Sequence, residues 1–121
     1  MRNMSFQSTI EAFLDGSKDV TRRTGWQFLK AGDKVVAVEK AMGLKNGEGI
    51  NRLGAIEIVS VKREPISAML DDLDYGWNEL RREGYPFGAT TPQEFVRKFC
   101  LTANCLRSEQ ITRIEFKRLQ S

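Results

Sequence analysis

The chain has 121 residues, 40% apolar and 29% charged, with a formal net charge of +3. That is the size and composition of one domain with a single real core, spanning 1–121, and the mild charge permits a nucleotide or RNA partner without demanding one. There is no histidine and there are two cysteines, which excludes Ser-His-Asp and Cys-His catalysis, imidazole metal sites and a four-cysteine zinc site.

No apolar run approaches the roughly 20 residues that span a bilayer, and Met1 to Phe6 lacks the apolar core of a secretory signal. The expectation is a cytoplasmic monomer, not a membrane protein, with neither metal nor cofactor. Met1 to Phe6 ends apolar and reads as a first strand. Ile10, Phe13 and Leu14 have helical spacing, with Ser8 as cap and Glu11 completing a capping box. Gly16 is a natural helix stop.

After Thr21 to Thr24, read as extended, Gly25 to Leu29 reads as one helical turn and Ala31-Gly32-Asp33 as a tight turn. Lys34 to Val38 is a strand by its β-branching. Glu39 to Gly49 carries three glycines and reads as a long loop. Ile50 to Arg63 is the longest strand candidate, with Gly54 placed for a bulge and Pro65 as its end. Ile66, Met69, Leu70 and Leu73 form an apolar helical stripe, which Tyr75, Trp77 and Leu80 continue past an interruption near Gly76. Gly84 and Pro86 end that segment.

Thr91, Pro92 and Glu94 give a strong helix start. Phe95, Val96, Phe99 and Cys100 supply its buried face. Gln110 to Leu119 closes the chain as a strand, Ile114 and Phe116 facing one way. The predicted core holds Phe6, Val36, Val38, Ile56, Ile58, Val61, Ile114 and Phe116. On a helix running through both, Cys100 and Cys105 sit about 140° apart, at roughly 100° per residue, and do not bridge.

The densest chemistry lies between Gly16 and Arg23: Lys18, Asp19, Thr21, Arg22 and Arg23. In an extended rung Lys18 and Thr21 face opposite ways; a turn just after Gly16 brings them to one point. An amine near a hydroxyl beside fixed positive charge can activate a nucleophile or grip an anion. The plain alternative is a solvated basic strand edge. Glu79 and Glu83, four apart, share one side of a helix, which on the plain reading is only a solvated acidic face. Without histidine, any catalytic base is Lys, Glu or Asp with a shifted pKa, so an active site here is a partly enclosed cleft.

The pattern Gly16-x-Lys18-x-x-Thr21-x-Arg23 resembles the signature of the ASCH domain family. Leu29 to Asp33, Gly54 to Val61, Glu83 to Pro86, Pro92 to Phe95 and Ile111 to Leu119 resemble that family's later segments, in order. The resemblance implies an α+β fold: a small, mostly antiparallel PUA-like β-barrel flanked by short helices. Some members remove the acetyl group from 4-acetylcytidine using a Lys, a Thr and a Glu. Carried onto this chain, those residues are Lys18, Thr21 and Glu83, with Glu79 in reserve for the third.

On that reading a desolvated Lys18 is the base for the Thr21 hydroxyl. Glu83 orients the lysine or protonates the departing amine. Arg23 binds the oxyanion or a pyrimidine carbonyl, and Arg22 flanks the site with it. Trp26 or Trp77 stands near the rim. The other reading is an RNA- or nucleotide-binding module without catalysis. There Lys18, Arg22, Arg23, Lys30 and Arg52 contact phosphates while Trp26, Tyr75 or Trp77 stacks on a base. A third is an interaction protein with a vestigial cleft.

Overall fold

Short stretches of strand and helix character follow one another along the chain, and a computed structural model describes residues 1–40 and 49–119. The strands are β1 (Asn3–Ser5), β2 (Val20–Arg23), β3 (Lys34–Val38), β4 (Arg52–Pro65) and β5 (Gln110–Arg118). The helices are α1 (Ile10–Asp15), α2 (Ala68–Asp71), α3 (Leu73–Arg82) and α4 (Pro92–Ala103). No described helix is long and apolar enough to cross a membrane. Of the expected loop between Glu39 and Gly49, residues 41–48 lie outside the described residues.

The sheet is open, not the expected barrel. Its order is β1-β3-β4-β5-β2, mixed because β1 runs parallel to β3 while the other neighbours are antiparallel. Closing a barrel would require β1 and β2, the two edges, to share a ladder. They have three and four residues. Instead one side chain crosses between the edges: an Arg23 terminal N–H donates to the Ser5 carbonyl. Helices and sheet together leave the α+β class intact.

Two cores flank the sheet. Met4, Phe6, Phe13, Val35, Ala37, Ile56, Ile58, Ile114 and Phe116 belong to the first, and Ile66, Met69, Leu80, Val96 and Ile111 to the second, under α2, α3 and α4. The period-2 alternation of β5 explains the split: Ile114 and Phe116 face one core and Ile111 the other. Val36 and Val61, expected inside, are half-buried. In β3 the inward phase belongs to Val35 and Ala37. A register shift between Ala37 and Val38, opposite Gly54 at φ 141°, brings Val38 in as well. Ile58, 1% exposed, should cost about 2–5 kcal/mol when replaced by alanine. A denaturation midpoint unchanged in Ile58→Ala would remove it from the core.

Local signals were kept or overruled case by case. Gly16 ends α1 in the left-handed conformation at φ 85°. The capping box does not form: Thr9 holds the cap position without a side-chain bond, and Ser8 lies in a 3-10 turn. Gly25 to Leu29 is a turn, not a helix, because Trp26 adopts φ 64° and only Leu29 N–H closes back on Trp26 O at 3.2 Å.

The helical break falls at extended Asp72, which caps α3 through Tyr75 N–H, and not at Gly76. Leu73 there turns outward and is half-exposed. Gly76 serves close packing instead, since a Cβ on it would sit 2.1 Å from the Met69 carbonyl oxygen. Thr91 caps α4 as its sequence predicts. That helix stops at Ala103, and left-handed Asn104 lets Cys105 N–H return to Cys100 O at 3.1 Å. The two free thiols therefore belong to a reversing turn and not to one continuous helix.

Candidate active site

Lys18 is placed by backbone closure. After the Gly16 turn its N–H bonds Ala12 O at 3.1 Å, and Asp19 N–H bonds Arg82 O at 2.9 Å. The Asp19 carboxylate then takes Arg82 in a two-bond pair at 2.9 Å each. This staples the start of β2 to the end of α3. Gly84, at φ 109°, permits the approach, because a Cβ there would meet Ala12 Cβ at 2.7 Å.

The result brings Lys18 to Glu83. Lys18 is 4% exposed, and its Nζ donates to Glu83 O at 2.7 Å and Glu83 Oε1 at 3.1 Å. The second carboxylate oxygen, Glu83 Oε2, accepts from Arg22 at 2.9 Å. Arg22 also donates to Glu79 Oε1 at 2.6 Å, to Glu64 Oε2 at 3.3 Å and to the Tyr75 hydroxyl at 3.3 Å. Glu79 in turn accepts two bonds from Arg113. A chain of alternating charge thus runs Lys18, Glu83, Arg22, Glu79, Arg113, each member buried.

These buried charges adjust one another. Burial pushes the Lys18 ammonium below the ordinary lysine value, and Glu83 only partly offsets it. Burial also works against the Arg22 charge, but Glu83 and Glu79 outweigh it and hold the guanidinium more firmly protonated than usual. For Glu79 burial favours the neutral acid, and Arg113 and Arg22 overcome it, leaving the carboxyl below its usual range. The Tyr75 hydroxyl, desolvated and bonded to Glu64, rises to about 12. Burial, with Glu83 nearby, raises Tyr85.

A cleft of about 620 Å³ opens over Lys18, Thr21, Arg22, Arg23 and Glu83. Its walls include Phe6, Tyr85, Phe95 and Phe99. The cleft straddles β2, and because β2 is an edge, side chains from both faces of the strand reach it. Thr21 Oγ1 accepts from Arg23 Nε at 3.1 Å, which leaves the hydroxyl proton free to be given away. No hydrogen bond joins Lys18 to Thr21 in this arrangement.

Of the residues singled out in the sequence, Lys18, Thr21, Arg22, Arg23 and Glu83 meet in this cleft, whereas Asp19, Trp26, Lys30, Arg52, Tyr75, Trp77 and Glu79 do not line it. Glu79, 1% exposed, lies behind Arg22 and holds it in place. Trp26 packs against the first core beside Phe28, and Trp77 against the second beside Phe87. The aromatic walls come instead from Phe6 and Tyr85 and from α4, whose Phe95 and Phe99 the sequence marked only as packing residues.

Glu64 and Arg113 were missed. The one local signal was an arginine in phase with Ile111 on β5, an inward strand position that demands a buried partner. Among the described residues no cluster of three or more metal-ligating side chains forms. No family model matches the chain, and no curated protein matches it. Among solved structures it is similar to protein EF3133 from Enterococcus faecalis, described under DUF984, at 14% identity and a TM-score of 0.58, over 92% of this chain and 69% of that one. At that identity the likeness concerns the fold alone.

Proposed function

We propose that the cleft hydrolyses an N-acyl group on a small nucleoside of the 4-acetylcytidine kind. One observation carries the reading: the buried Lys18 amine, held by Glu83, shares a small half-enclosed cleft with the Thr21 hydroxyl. The resemblance of Gly16, Lys18, Thr21 and Arg23 to the ASCH signature supports it from the sequence side.

The chemistry balances as follows. Neutral Lys18 takes the Thr21 proton while Thr21 Oγ bonds the acetyl carbon. Arg23, already beside Oγ1, stabilises the oxyanion. The C–N bond breaks, and Lys18 returns its proton to the exocyclic nitrogen, with Glu83 keeping the ammonium in place. Water then cleaves the threonine ester, releasing acetate and a proton. Hydrogen bonds loose in a resting site tighten when substrate binds. The phenyl and phenol walls suit a flat pyrimidine ring.

The geometry gives less support to phosphate-led RNA binding. Lys18 and Arg22 are buried against carboxylates, and Trp26 and Trp77 lie away from the cleft. Incubation with 4-acetylcytidine should release cytidine, followed by chromatography. Release by wild type no faster than by Lys18→Ala would sink the proposal.

A further inference from the structure

The cations of the cleft are not equally matched. Lys18 is paired to Glu83, Arg22 to Glu83, Glu79 and Glu64, and Lys98 in the α4 wall to Glu94 at 4.0 Å. Arg23 has no carboxylate within ion-pair reach among the described residues. It is half-buried, lines the cleft and lies 5.2 Å from the Phe6 ring centre. A guanidinium carries five N–H donors. One of them, Nε–H, goes to Thr21 Oγ1 and another to Ser5 O, which leaves three with no acceptor among the described residues. Burial lowers the Arg23 pKa, with Glu83 partly offsetting it, yet a guanidinium stays protonated at any ordinary pH. A half-desolvated cation with free donors is costly until an anion meets it.

We infer that Arg23 makes the cleft floor a subsite for a small monocarboxylate, held on its free N–H groups beside Thr21. The inference rests on the hydrolase reading only in naming the occupant, which there is the acid product. The carboxylate is preferred to a phosphate by charge. One cation lacks a partner, and one negative charge completes it, whereas a phosphate dianion would leave a surplus beside Glu83. Two parallel N–H bonds also match a carboxylate plane. The acid product of N-acyl hydrolysis therefore stays bound until exchanged, and added acetate competes with substrate.

The test follows the Arg23 Nε–H resonance of ¹⁵N-labelled protein during titration with sodium acetate, with sodium chloride holding ionic strength constant. A saturable shift is expected, absent with chloride alone and weaker with inorganic phosphate. In the variants the probe is the backbone N–H resonances of Thr21 and Arg22, and there Arg23→Gln should weaken acetate binding roughly 10- to 100-fold, the worth of a charge-assisted pair. Arg23→Lys should keep part of it. Because Arg23 also ties β2 to Ser5, the wild-type titration carries the test if Arg23→Gln does not fold. A non-saturating shift, an equal response to chloride, or tighter binding of phosphate than of acetate would overturn the subsite. Saturable acetate binding without cytidine release would leave the subsite standing and remove the hydrolase reading. Cytidine release without saturable acetate binding would do the reverse.

Discussion

Replacing Glu79 by alanine should destabilise the protein by about 3–5 kcal/mol, the cost of breaking a buried ion pair from one side. Glu79 is 1% exposed and receives the guanidiniums of both Arg22 and Arg113. Without it two buried cations face each other across β2 and β5, where Arg22 and Arg113 are directly paired in register. In a domain of this size the melting midpoint should drop roughly 10–20 °C. Glu94→Ala is the control. Its partner Arg97 is exposed on the same helix face, so that change should move stability by about 0.5 kcal/mol or less.

Acid should mimic the Glu79 loss. Its folded-state pKa lies below the ordinary glutamate value, so its contribution is complete above that value and disappears as pH falls through the depressed pKa. A Glu79→Ala midpoint within a degree of wild type would show that the charge chain does not hold the fold.

Most strands were legible because their cause is local. β-Branching marks β3, and the acceptance of φ 85° by glycine marks the end of α1. Closure of the sheet was not legible. Whether β1 and β2 meet depends on strand lengths and on Arg23 reaching Ser5, and no periodicity encodes either. Phase in β3 failed for a similar reason: Val35, Val36 and Val38 are equally apolar, and only the shift opposite Gly54 decides which turn inward.

The candidate site was half readable. Lys18, Thr21, Arg22 and Arg23 are neighbours in sequence, and Glu83 came from the resemblance of Glu83 to Pro86 to a late segment of the ASCH family. Arg113 and Glu64 come from distant strands, and their role is to neutralise charge from behind. Aromatic residues misled in the other direction. Trp26 and Trp77 looked suited to a rim, yet large apolar surface is drawn to whichever core is nearest, and the cleft walls fell to the phenylalanines of α4.

Lys18→Met should reduce cytidine release by about 10²- to 10⁴-fold, the usual worth of a positioned base, and should not unfold the protein. Methionine keeps most of the buried volume, and Glu83 retains Arg22 at 2.9 Å, so no buried charge is stranded. The pH dependence ties catalysis to stability. The folded protein holds the Lys18 proton less tightly than the unfolded chain, because burial lowers its pKa from 10.5. Charging Lys18 therefore costs stability in full below the folded-state pKa. That cost is relieved as pH rises between the folded-state pKa and 10.5. Wild type should gain stability on Lys18→Met across that window. The wild-type kcat/KM should rise through the same folded-state pKa, since only neutral Lys18 can take the Thr21 proton. Parallel denaturation and rate profiles on both proteins measure this. A kcat/KM that falls through the window, or a stability difference between the two proteins that does not change across it, would show that Lys18 keeps its proton and serves only to hold Glu83.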